Sequence, residues 1–169
     1  MLLSLLALLM LSAPPDSATF PAVTGENLNR REVHLPSDFE GERNLVLIAF
    51  HRDQQKSVDT WSKFADSLLA RDSTFRWYEL PTLGRRYTIV RGFIDGGMRG
   101  GIPDSAARER TITLYIDKFP FRKSLGLGTE DSIYAVLVDR AGKVYWSATG
   151  VRTAEKSAAL ESALGLKKD

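Results

Sequence analysis

The stretch "NLVLIAFHRDQQKSVDTW", residues 44–61, decides the architecture. Residues 45–50 form an unbroken apolar run of strand length, as a strand covered on both faces requires. Polar residues follow from His51 to Ser57, overlapping the start of a second pattern. Val58, Trp61, Phe64, Ala65, Leu68 and Leu69 recur at three- and four-residue spacing, which predicts an amphipathic helix of about four turns. Asp53 is a suitable N-cap for that helix. A helix N-terminus placed at the end of a buried strand is where backbone N–H groups and the helix dipole can activate a thiol. This chain has no cysteine.

Outward from that stretch the elements follow in order. Residues 19–43 read as a loop and a short hairpin, with Gly25, Glu26 and Asn27 as the turn and Pro36 ending the second strand. "TFRWYEL", residues 74–80, alternates as a strand and stops at Pro81, and "TITLYI", residues 111–116, is another strand. Residues 132–139, the tight turn at 140–142 and residues 143–150 form an antiparallel hairpin. Thr153 caps a last helix. The strand–helix–strand start implies a parallel pair, and the closing hairpin adds antiparallel strands. This order resembles the thioredoxin-like arrangement. It implies an α/β fold with a central mixed β-sheet flanked by helices, here preceded by an N-terminal β-hairpin.

Residues 19–169 are expected to form that one domain. Before it, "MLLSLLALLMLSAPPDSA", residues 1–18, is apolar up to the break at Pro14 and Pro15. The run is shorter than the roughly 20 residues that span a bilayer, so it reads as a signal peptide or hydrophobic anchor. The protein is therefore expected to be exported or membrane-associated, on the periplasmic side in a bacterium. A formal charge of +2 gives no support for a nucleic-acid partner.

The missing cysteines exclude disulfides, thiolate metal sites and a cysteine nucleophile together. Only His34 and His51 remain as imidazole ligands, so neither a metal nor another cofactor is expected. In thioredoxin-like enzymes the attacking thiolate sits just after the first central strand. Laying that pattern on this sequence puts Gln55 and Val58 where a C-x-x-C pair would fall, and Ile133 where a cis-proline would precede the next strand. Thiol–disulfide exchange is excluded by chemistry. His51 and Asp53 could in principle share acid–base work, but no nucleophile or metal ligand accompanies them, and a helix cap beside a residue leaving the sheet explains both.

Two motifs are weak alone and fairly specific in their order and spacing together. Phe50, Gln55, Val58, Asp59 and Trp61 match F-x-x-x-x-Q-x-x-V-D-x-W. "FRKSLGL" at 121–127 is followed by "YAVLVDRAGKVYW" at 134–146. Together with "WYEL" at 77–80, their order resembles the mitochondrial ATPase complex subunit 10 family, assembly factors for the membrane sector of F-type ATP synthase. The resemblance covers residues 20–165. It implies a thioredoxin-like fold without redox cysteines, and action by binding a protein client, a membrane subunit of ATP synthase, at the mitochondrial inner membrane. The exported look of this N-terminus departs from that family and points to a bacterial relative, whose client can differ. The competing reading is an enzyme of peroxiredoxin or thiol-oxidoreductase ancestry with a cysteine-independent activity.

Candidate binding residues fall in three places. Gln55 and Asp59 lie in the first motif. In "LGRRYTIVRGFIDGGMRGG", residues 83–101, Ile89, Val90, Phe93, Ile94 and Met98 have helical spacing among Arg85, Arg86, Arg91 and Arg99. Basic amphipathic segments of this kind lie on an anionic membrane surface or a partner helix; packing on the sheet edge is the structural alternative. "KFPFRK" repeats the theme with Phe119, Phe121, Arg122 and Lys123.

Overall fold

The computed structural model describes residues 18–166. Seven strands form one sheet in the order β2-β1-β5-β4-β3-β6-β7: β1 Val23–Asn27, β2 Glu32–Leu35, β3 Arg43–Ala49, β4 Phe75–Gly84, β5 Ile112–Ile116, β6 Tyr134–Val138 and β7 Val144–Thr149. β3, β4 and β5 run parallel, and the remaining pairs are antiparallel. Helices α1 Gln55–Arg71, α2 Arg91–Gly101, α3 Ser105–Arg110, α4 Lys118–Leu125 and α5 Ala154–Ala163 complete the fold. The expected N-terminal hairpin and the parallel pair flanking the first long helix are both present.

β3 is central because its side chains alternate between two apolar layers. Leu45 and Leu47 pack with Val58, Trp61, Ala65 and Leu68 of α1 and Leu160 of α5. Val46 and Ile48 face the opposite way, into a layer with Phe121 and Leu125 of α4 and with Phe20 and Phe39. Each such buried side chain contributes about 1.5–3 kcal/mol. Trp61 adds a hydrogen bond from Nε1 to Gly150 O (3.0 Å) and an edge-on contact with Trp146.

Several local expectations are corrected. Gly25 and Asn27 lie within β1, and the hairpin turns at residues 28–31. Asn27 Oδ1 organises that turn by accepting from the amides of Asn29 and Arg31. Gly25 serves close approach instead: a Cβ there would lie 2.7 Å from Leu114 Cδ2. β4 does not stop at Pro81, because Pro81 stands opposite Ala49, the last residue of β3, and from Thr82 the strand pairs with β5. Asp53 does not cap α1; it lies inside a 3-10 turn, Arg52–Gln54, that leads into the helix. Thr153 does cap α5, accepting from the amide of Lys156. The expected signal peptide or anchor at residues 1–18 lies, but for Ala18, outside the described residues.

Candidate functional site

The C-terminal ends of β3, β4 and β5 meet the N-termini of α1 and α4 and the loop that leads into β6. At the end of β3 the decisive residue is Gln54. Its Oε1 accepts from the amides of Phe50 (2.8 Å) and His51 (3.2 Å), and its Nε2 donates to Glu130 O (2.6 Å). The side chain is buried and stitches strand, helix start and the loop before β6 into one unit. The Tyr134 hydroxyl holds the same loop, accepting from Thr129 N and donating to Thr129 O. Gln55 is the first residue of α1, one residue later than a cap at Asp53 implies, and Val58 is a core residue of the α1 layer, as its apolar spacing predicts. The side chain that actually faces the loop before β6 is that of Gln54. Ile133 is buried, and the cis peptide among the described residues is elsewhere, at Leu35–Pro36. His51 and Asp53 are exposed and make no hydrogen bond with each other.

Gln55 and Asp59 do come together, with a third partner that the sequence did not single out. Gln55 Nε2 donates to Asp59 Oδ1 (3.0 Å) and reaches Glu79 Oε2 at 3.5 Å. Burial raises the Glu79 carboxyl above its ordinary range; the Gln55 hydrogen bond opposes this, the Asp59 charge adds to it, and Arg110 opposes it. The signal was present in "FRWYELP": the alternation that sends Trp77 towards α1 sends Glu79 there too.

A second grouping is an open cleft of about 540 Å3 between the end of β4 and the start of α4. Arg85, Arg86, Lys118 and Arg122 supply four cations to its wall, against Asp117 and Glu130. Glu130 is engaged by Lys118 and lies 3.3 Å from Arg122 Nε. Asp117 caps α4 by accepting from Phe119 N. Arg86 lies over the Tyr87 ring, and Arg85 makes no ion pair among the described residues. Lys123 is exposed and outside the cleft.

Two candidate residues change role. Phe121, expected at a binding surface, is 2% exposed and belongs to the core; Phe119, two residues earlier on the same helix, is 66% exposed. Arg91, expected to face a partner, is tied to the protein by an ion pair with Glu26 (2.5 Å). Among the described residues, no group of three or more histidines or carboxylates is placed to hold a metal ion, and no helix is long and apolar enough to cross a membrane.

No family model and no curated protein matches the chain. Solved structures do. The chain is similar to an exposed lipoprotein thioredoxin, Etrx1, of Streptococcus pneumoniae (TM-score 0.55, 13% identity, 86% of this chain and 100% of that one). It is similar to BsSco, a Sco-family cytochrome c oxidase assembly protein with a disulfide switch (TM-score 0.56, 16% identity, 92% and 99%). It is also similar to a DsbE-type thiol:disulfide interchange protein of Chlorobium tepidum (TM-score 0.54, 16% identity, 90% and 96%). The fold is thioredoxin-like. At these identities the likeness extends to architecture alone.

Proposed function

We propose that this chain is a redox-inactive, thioredoxin-like binding protein that acts as an assembly factor or chaperone for a membrane complex. The observation that carries the reading is Gln54. At the strand-to-helix junction where a thioredoxin-like enzyme needs a mobile, ionisable sulfur, this protein has an amide with hydrogen bonds on both ends. That arrangement favours a rigid scaffold over covalent chemistry. The sequence resemblance to ATPase complex subunit 10 suggests the membrane sector of ATP synthase as client. The Sco-family neighbour, a member of a family of cytochrome c oxidase assembly proteins, supports the use of this fold in that kind of work.

The test is crosslinking in native membranes, with the crosslinked partners identified by mass spectrometry. The proposal expects a newly made membrane subunit of ATP synthase among the adducts. It also expects purified protein to neither reduce insulin disulfides nor consume peroxide. Turnover above a boiled control would overturn the binding-only role, and adducts confined to other proteins would overturn the client.

A further inference from the structure

α2 buries a carboxylate and leaves an aromatic ring in water. Its polar side chains face the body. Asp95 is buried and accepts from the Tyr115 hydroxyl at 2.7 Å, Arg91 pairs with Glu26, and Arg99 Nε donates to Leu28 O at 2.7 Å. Ile94 and Met98 are half-buried, but two large apolar residues face out: Phe93 is 87% exposed, and Ile89, in the 3-10 turn Arg85–Val90 just before the helix, is 93% exposed. Val90 and Tyr87 are also exposed beside them. A Cβ added at Gly92, Gly96, Gly97, Gly100 or Gly101 would meet nothing within 4 Å, so no side chain among the described residues covers the glycine surface. Folding alone does not reward this arrangement, because isoleucine and phenylalanine lose about 1.5–3 kcal/mol each by remaining in water.

We propose that this face docks on an anionic phospholipid bilayer, with Ile89 and Phe93 entering the interface and the adjoining cleft receiving lipid phosphates. The charge around the prongs selects this occupant. Arg85 and Arg86 stand four and three residues before Ile89 in the chain and line the cleft with Lys118 and Arg122; both cleft carboxylates are already engaged. Phe119, also exposed, lines the same cleft. Apolar prongs ringed by arginines and placed on a helix that lies along the surface are the recipe for interfacial binding. A stable protein partner would need roughly 1,200–2,000 Å2 of buried surface, whereas the groove beside the prongs is lined by four cations, which suits phosphate headgroups. The inference rests on surface chemistry and holds whether or not the client is an ATP synthase subunit.

The experiment is co-sedimentation of the full-length chain with vesicles of phosphatidylcholine alone and of phosphatidylcholine mixed with phosphatidylglycerol. The wild type is expected to bind the anionic vesicles more tightly. Arg85→Gln with Arg86→Gln should weaken that binding roughly 30-fold, at about fivefold per arginine near an anionic surface. Ile89→Ser with Phe93→Ser should weaken it by roughly a hundredfold or more. Both double variants should melt as the wild type does, since the altered side chains are exposed. The apolar N-terminal run is common to all variants, so differences among them read this face alone. Equal wild-type binding to the two vesicle types would overturn the proposal. So would variants that bind like the wild type, an outcome that would hand the face to a protein partner.

Discussion

Gln54 turns a polar side chain inward and hydrogen-bonds three backbone groups; Phe93 turns an aromatic ring outward and leaves it in water. The junction around Gln54 is closed upon itself: Phe50 packs edge-on against Tyr134, and the loop before β6 is held from both sides. The segment carrying α2 is held by an ion pair and two side-chain hydrogen bonds, with Ile89 and Phe93 left in water. A side chain whose bonds are all internal serves stability. One that the fold leaves exposed at a cost points to something outside the molecule. In this chain the end of β3 is closed by its own hydrogen bonds, and the exposed apolar side chains lie on the α2 segment.

The largest effect belongs on the closed side. Trp61→Ala removes a fully buried indole with its hydrogen bond to Gly150, and should cost about 3–5 kcal/mol in a urea unfolding curve. A loss below about 1 kcal/mol would mean that the α1 layer repacks freely. Gln54→Ala should follow, at about 2–3 kcal/mol, since it strands the buried amide of Phe50 and the partly buried amide of His51. Against these, Ile89→Ser with Phe93→Ser should stay within about 0.5 kcal/mol of the wild type. If the two sides proved equally sensitive, the contrast between them would fail.

Glu79 sharpens the comparison through pH. Because burial raises its carboxyl in the folded protein, folding favours the protonated form. That contribution is fully present below the ordinary value of 4.5 and is lost as pH climbs through the raised value. Glu79→Gln should therefore flatten this part of the stability–pH profile and leave neutral-pH stability equal to or above that of the wild type. A clear loss of stability at neutral pH would instead mark the carboxylate as a needed ionic partner for Arg110. A small effect is also expected at Arg91→Gln, about 0–1 kcal/mol, because the ion pair with Glu26 is partly solvated.

Much of the fold was legible because it is written in local periodicity. The apolar run of β3, the spacing of α1, the hairpin turn at residues 140–142 and the cap at Thr153 each sit within a few neighbouring residues. What escaped depended on distant partners. Gln54 and Gln55 are indistinguishable neighbours in sequence, and only the loop around Glu130 shows which is buried. Arg91 reads as a surface cation until Glu26 is brought to it from 65 residues away. Phe119 and Phe121 looked alike while their element was unknown. On a helix they point about 200° apart, so one is core and the other exposed. Glu79 was hidden by its apolar strand, although the alternation already assigned its face.

The central claim is that the end of β3 is locked and the α2 segment is only loosely tied. Native-state hydrogen exchange on the full-length chain reads both at once. The amides of Phe50 and His51 should exchange only with global unfolding, and should lose that protection selectively in Gln54→Ala, while the amides of residues 89–101 exchange far faster in both proteins. Fast exchange at Phe50 and His51 in the wild type, with protection in α2 equal to that of the core, would contradict the account.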